Sequence, residues 1–154
     1  MQYLKTILIA IILLCINNQM AGQGYNVIFS KNTFTPLSSG IRLHIEPEIP
    51  FNQKIELPFS FKFFGKSHQK AWIRDGYLAF SEDRSQYIDV CYADLETSPL
   101  SKIIYSTEGT SGKRIFKIEW QNVAFSDDSI GNGYATFQLW LYEENGKSEM
   151  HFGN

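Results

Sequence analysis

From residue 55 to residue 63 apolar and polar side chains alternate without a break. Ile55, Leu57, Phe59, Phe61 and Phe63 fall on one parity; Glu56, Pro58, Ser60 and Lys62 fall on the other. A period of two is that of a β-strand, whose side chains point to opposite faces in turn. A chain with such a stripe must bury one face and leave the other wet. Burying each Phe or Leu contributes roughly 1.5–3 kcal/mol, so this stripe makes a principal part of a core. Pro58 has no N–H for a ladder, which predicts an edge strand or a strand start. Beyond the first two dozen residues no window holds a 3.6-residue apolar period, and the alternation favours strands throughout.

Two dipeptides set further registers. Asp75-Gly76, within AWIRDGYLAF, reads as a two-residue hairpin turn with both residues at positive φ. It sets Arg74 opposite Tyr77, Ile73 opposite Leu78 and Ala71 opposite Phe80. Asn145-Gly146 reads the same way between YATFQLWLYE and KSEMHF. It sets Glu144 opposite Lys147, Tyr142 opposite Glu149, Leu141 opposite Met150, Trp140 opposite His151 and Leu139 opposite Phe152. One face of that hairpin gathers Phe137, Leu139, Leu141, Met150 and Phe152 as core. The other gathers Trp140, Tyr142, Glu149 and His151. Weaker strands are expected over 25–30, 41–45 and 102–106, and loops over 81–101 and 126–133. Many short strands between Gly, Asn, Asp and Pro predict an all-β antiparallel sandwich of jelly-roll or Ig-like type.

The N-terminus has the form of an export signal: Lys5, the apolar run ILIAIILLCI over 7–16, then polar residues and the small Ala21 and Gly22. That run is about half the roughly 20 residues needed to span a bilayer. The expected organisation is a signal peptide over 1–23 and one β-sandwich domain over 24–154, with no transmembrane segment in the mature chain. Cys15 follows aliphatic residues, as a lipidated Cys does, but Leu14 stands where such sites want a small residue. The net charge of −2 is well mixed along the chain, which gives no basic field for nucleic acid. Cys91 is left alone after cleavage, so the domain must hold by packing without an internal disulfide. A single Cys in a β-rich domain reads as a small buried apolar residue.

The quartet Glu119-Trp120-Gln121-Asn122 looks like sugar chemistry: a carboxylate, a large ring and two amides. In a strand it splits. Phe116, Ile118 and Trp120 take one face, while Lys117, Glu119 and Gln121 take the other, which places Trp120 in the core and Glu119 toward solvent. A better binding candidate is the outer face of the last hairpin, Trp140, Tyr142, Glu149 and His151. Lys117 and Glu119 join it if the strand over 113–120 lies alongside. Rings beside carboxylates can stack on a sugar and bond its hydroxyls, which suits an extracellular glycan or protein partner. The plain alternative is that loops or the N-terminal segment cover this face.

Other motifs carry less. Asp127, Asp128 and Asn132 in SDDSIGNG offer oxygens to a hard cation but lack the spacing and final Glu of a calcium loop. Asp89 and Asp94 are similarly unspecific. GTSGKR over 109–114 lacks the spacing of a phosphate loop and precedes a strand. His44, His68 and His151 show no metal-ligand spacing. No cofactor is expected, and Glu119 with Glu149 is the only same-face carboxylate pair available to a glycoside hydrolase.

The order LPFSFKFFGK, WIRDGYLAF, ADL, RIFKIEWQNVAF and FQLWLYEENGKSEMHFG, spanning residues 55–153, resembles a known β-sandwich domain. That domain recurs near the N-terminus of large secreted and cell-surface proteins of Gram-negative bacteria that use type IX secretion. The resemblance implies a secreted, cell-surface or periplasmic location and a non-catalytic role; it brings no ligand or catalytic residue with it. Two departures stand out. The family has an aromatic-Asp-Asp-Leu element where this chain has Tyr92-Ala93-Asp94-Leu95, and its members continue to a C-terminal sorting domain not found here. The expectation is thus a truncated product or a small stand-alone protein. The functional expectation is a non-catalytic adhesion or contact module, with a purely structural spacer or remnant as the second reading and a glycoside hydrolase-like enzyme as the third. The sequence names neither ligand nor oligomeric state.

Overall fold

The computed structural model describes residues 26–46, 51–126 and 133–153. The expected export signal over 1–23 and the cation candidates Asp127, Asp128 and Asn132 lie outside these residues. The chain divides into two units, Met1–Ser30 and Lys31–Asn154. In the first, the strand expected over 25–30 is not formed: residues 26–30 have no regular structure, and Val27, Ile28 and Phe29 are exposed.

The second unit holds ten strands among the described residues: β1 (Ile41–Arg42), β2 (Asn52–Phe63), β3 (Lys66–Arg74), β4 (Tyr77–Ala79), β5 (Tyr87–Asp89), β6 (Leu95–Glu96), β7 (Lys102–Glu108), β8 (Ile115–Phe125), β9 (Tyr134–Tyr142) and β10 (Ser148–Phe152). β5 and β6 fall in the stretch expected to be loop. The strands form two antiparallel sheets packed as a sandwich. The first sheet runs β1-β7-β8-β9-β10, with β6 pairing the far end of β8; the second runs β2-β3-β4-β5.

The alternation in β2 does what its period requires. All five apolar residues from Ile55 to Phe63 are buried. β2 is an edge strand, and its ladder with β3 is irregular between Glu56 and Phe61, the stretch that holds Pro58. The β3–β4 turn pairs Ile73 with Leu78 as expected. Only Gly76 of its two turn residues takes positive φ, at 82°. Asp75 is held differently: its Oδ2 accepts the Phe51 N–H at 2.9 Å.

The last hairpin is slipped by two residues from the expected register. Glu149 faces Trp140, Met150 faces Leu139, His151 faces Gln138 and Phe152 faces Phe137. Tyr142 N–H donates to the Lys147 carbonyl at 2.9 Å, so residues 143–146 form the loop. The cause is distant in sequence. Glu143 is drawn out of the ladder by Arg114, whose Nη2 and Nε donate to its two carboxylate oxygens at 2.6 and 2.8 Å. A slip of two keeps each side chain on its expected face. Met150 and Phe152, expected as core, are nevertheless 44% and 57% exposed. They do face inward, but β10 is the sheet's outer edge.

β8 supplies the centre of the core. Its ladder with β9 shifts between Trp120 and Val123, where Asn122 takes φ 51°. This bulge carries the buried parity from Trp120 to Val123. Trp120 is fully buried, stacks on Phe137 at 5.3 Å and donates from Nε1 to the Arg74 carbonyl of the second sheet at 2.7 Å. Trp120→Phe removes this buried hydrogen bond between the sheets. The expected cost is about 1–3 kcal/mol, read by chemical denaturation with an unchanged circular dichroism spectrum. A loss below a few tenths of a kcal/mol would contradict this role.

Candidate functional site

The outer face of the first sheet brings together the residues that the sequence grouped. Register sets Lys117 beside Trp140 and Trp140 beside Glu149 across β8, β9 and β10. Lys117 Nζ lies 4.0 Å from the Trp140 ring centroid, and the His151 ring lies 4.2 Å from it. One neighbour comes from β8 and the other from β10, on opposite sides of β9. Glu149 is the hub of the remaining contacts. It accepts from Tyr142 Oη at 2.7 Å, lies 3.1 Å from His151 Nε2, and pairs with Lys147. Lys117 is buried and donates to Glu108 Oε2 at 2.6 Å.

The electrostatics follow from these contacts. Burial alone would raise the Glu149 carboxyl, but hydrogen bonds from Lys147, Tyr142 and His151 outweigh it and hold the group below its ordinary value. The Tyr142 phenol is pushed well above its usual range by burial and by Glu149 beside it. The cluster therefore stays charged at Glu149 and neutral at Tyr142 over the physiological range.

Glu119 belongs to this face but not to its open part. The expectation of a solvent-exposed Glu119 is overturned: it is fully buried. A strap over residues 34–40 crosses the sheet here. Leu37 N–H donates to Glu119 Oε2 at 2.6 Å, and the Gln138 and Gln121 side chains also donate to the carboxylate. Gln138 Nε2 reaches the Thr35 carbonyl at 2.9 Å. At one end of the strap a Cβ on Gly153 would touch Phe34; at the other, a Cβ on Gly40 would lie 2.6 Å from the Tyr105 carbonyl oxygen. The N-terminal segment thus covers half of the face, over Glu119 and Gln138. It leaves Trp140, Tyr142, Glu149 and His151 half-buried. Trp140 Nε1 joins the halves by donating to Gln138 Oε1 at 2.8 Å.

A second concavity, about 740 Å3 in volume, is lined by Asp75, Tyr77, Arg84, Asp89, Tyr92 and Asp94 among others. Sequence reading set Asp89 and Asp94 aside and gave Asp75 only a turn role. The available signal was that ArgAspGlyTyr and TyrAlaAspLeu both punctuate strand ends, although nothing local says that they meet. Leu95 packs against Gly76 so closely that a Cβ there would lie 2.7 Å from Leu95 Cδ1. Burial raises the Asp75 carboxyl to about 6, against a smaller lowering by the Phe51 N–H, and burial raises Asp89 as well. The Cys91 thiol is raised by burial and then by Asp89, which suits a small packing residue and not a nucleophile. Among the described residues no group of three or more His, Cys, Asp or Glu is placed to hold a metal ion.

A family model described as NIDO related matches residues 24–154. The chain belongs to the NIDO-related family. This is an extracellular-type domain. The comparison with curated proteins and that with solved structures each gave no significant match. The NIDO-related match spans the two sheets, the strap and the outer face together. No helix among the described residues is long and apolar enough to cross a membrane.

Two outcomes follow. Glu119→Ala releases the strap, and the Leu37 amide should exchange about two- to tenfold faster, as loss of a hydrogen bond of about 0.5–1.5 kcal/mol predicts; an unchanged rate would show that the strap holds by other contacts. Asp75 has a folded pKa of about 6 against an ordinary 3.8, so it is a raised carboxyl. Its contribution to stability is complete below the ordinary value and is lost as pH rises through the folded value. Denaturation of wild type and Asp75→Asn between pH 4 and 7 should show wild type losing stability relative to the variant. A parallel pair of curves would contradict the shift.

Proposed function

We propose that the chain is a non-catalytic extracytoplasmic contact module that holds a glycan or protein partner against the outer face of its first sheet. The observation that carries this reading is the cluster of Lys117, Trp140, Tyr142, Glu149 and His151. It pairs half-exposed rings with fixed charges on β8 and β9, whose other face is locked into the core, and on the edge strand β10 beside them. Membership of an extracellular-type family supports it. The ring faces of Trp140 are flanked by Lys117 and His151, so a partner meets ring edges, the Glu149 carboxylate and the Lys147 ammonium. Such a surface suits adhesion through hydrogen bonds and charge better than stacking on a sugar plane.

The type IX secretion context, the secreted or cell-surface location and export through the 1–23 signal belong to the same proposal; they rest on the N-terminal pattern and the motif order. So does the absence of catalysis. Its support is the fate of the one carboxylate pair that a hydrolase could use. Glu119 lies fully buried beneath the strap with three donors on it, while Glu149 stays at the open part of the face.

The second reading, a structural spacer with no ligand, draws on the same flanking of Trp140. Its contacts already satisfy the cluster from within. A glycan array with wild type, Trp140→Ala and Lys147→Ala separates the two. Hits that weaken about tenfold or more in either variant support the contact module. Hits indifferent to both substitutions remove this face as the platform, and a blank array together with a blank extracellular-protein array favours the spacer.

A further inference from the structure

The sandwich has several edges, and they are not equivalent. β2 carries Pro58 and an irregular ladder. β1 and β5 are only 2 and 3 residues long. These are devices that keep a sheet edge from recruiting another strand. β10 has none of them. It is a regular five-residue strand with no proline and no inward-facing charge. Among the described residues nothing pairs with its outer side.

Its free hydrogen-bonding groups can be assigned. Gly153 N–H donates to the Thr136 carbonyl at 2.8 Å, and Tyr142 N–H to the Lys147 carbonyl at 2.9 Å. With Met150 opposite Leu139, these fix the phase of the ladder. Glu149 and His151 turn their backbone groups toward β9. Ser148, Met150 and Phe152 turn theirs outward. The same three side chains point to the inner face, where Met150 and Phe152 are 44% and 57% exposed.

We propose that two copies of this chain pair through β10, antiparallel and centred on Met150, joining their first sheets into one continuous sheet. The arrangement of β10 is self-complementary about that residue. Met150 meets Met150 of the second copy in a hydrogen-bonded pair. Ser148 meets Phe152 of the second copy in another, so that the large ring faces the small side chain. All three outward-facing residues then find partners. On the outer face Glu149 lies opposite His151 of the second copy, and carboxylate meets imidazole instead of its like. On the inner face the half-exposed Met150 and Phe152 are covered. The dimer sets two copies of the Trp140 face side by side on one surface, yet the pairing does not depend on what that face binds.

Register-specific cross-linking tests this on the full chain with Cys15→Ser and Cys91→Ser. In an antiparallel hydrogen-bonded pair opposing Cα atoms are about 5.5 Å apart, within the roughly 4.4–6.8 Å that a disulfide spans. Met150→Cys should therefore oxidise to a covalent dimer. Ser148→Cys alone should not, whereas a mixture of Ser148→Cys and Phe152→Cys chains should give the mixed dimer. Sedimentation equilibrium should show a dimer for the unmodified chain and a monomer for Met150→Pro, which loses the central N–H. Should Met150→Pro fail to fold, the cross-linking pattern still decides. A monomer at every concentration, or Ser148→Cys linking to itself as readily as Met150→Cys, overturns the proposal.

Discussion

One hydrogen bond organises the sandwich. Trp120 reaches out of the first sheet with its whole ring buried and gives its indole N–H to the Arg74 carbonyl, the last residue of β3. Two sheets packed by apolar contact alone can slide, because burial is non-directional. A buried donor has one acceptor and one geometry, so this bond fixes where β8 lies over β3. Arg74 is anchored from its other end too, as Nη2 donates to the Glu82 carbonyl at 3.1 Å. The β3–β4 turn, the loop after β4 and the centre of β8 are thereby referred to one point.

From that point the outer face is built by parity. Trp120 inward means Glu119 outward, and a carboxyl group outward on a central strand must be either wet or satisfied. Here the strap gives it the Leu37 N–H, and the Gln121 and Gln138 amides of β8 and β9 donate as well. Burying a carboxyl group is costly unless its lone pairs are filled by donors. The strap and the two glutamines fill them. The open half of the face, around Glu149, uses the other solution, with Lys147 and Tyr142 as partners at the surface.

Much of this was legible in the letters, and the illegible parts share a cause. The stripe from Ile55 to Phe63 is local, and its period alone gives strand and buried face. The Ile73–Leu78 register came from a turn two residues long. The face shared by Lys117, Trp140, Glu149 and His151 came from counting parity. What misled in the register and the outer face was a partner far along the chain. Arg114 lengthens the last turn by holding Glu143, 29 residues on. Ser101 and Thr136 stabilise the bulge at Asn122 and so move the core from parity to Val123. Leu37, 82 residues before Glu119, turns a side chain that alternation assigns to solvent into a buried one. Met150 and Phe152 failed as core for a related reason: parity gives the face but not whether the opposite sheet extends far enough to cover it.

The strap has a consequence for how the chain reaches this state. Thr35 and the glutamine that holds it are 103 residues apart. A chain made or translocated from its N-terminus delivers the strap first and its binding surface nearly last. Until β9 has joined β8, residues 34–40 have nothing to lie on, and Glu119 has no reason to leave water. Closing so large a loop comes late and slowly in folds dominated by distant contacts. The sheet face under the strap is therefore the last part of the molecule to be finished, and in the interval its unpaired strands are exposed to whatever folding helpers the compartment provides.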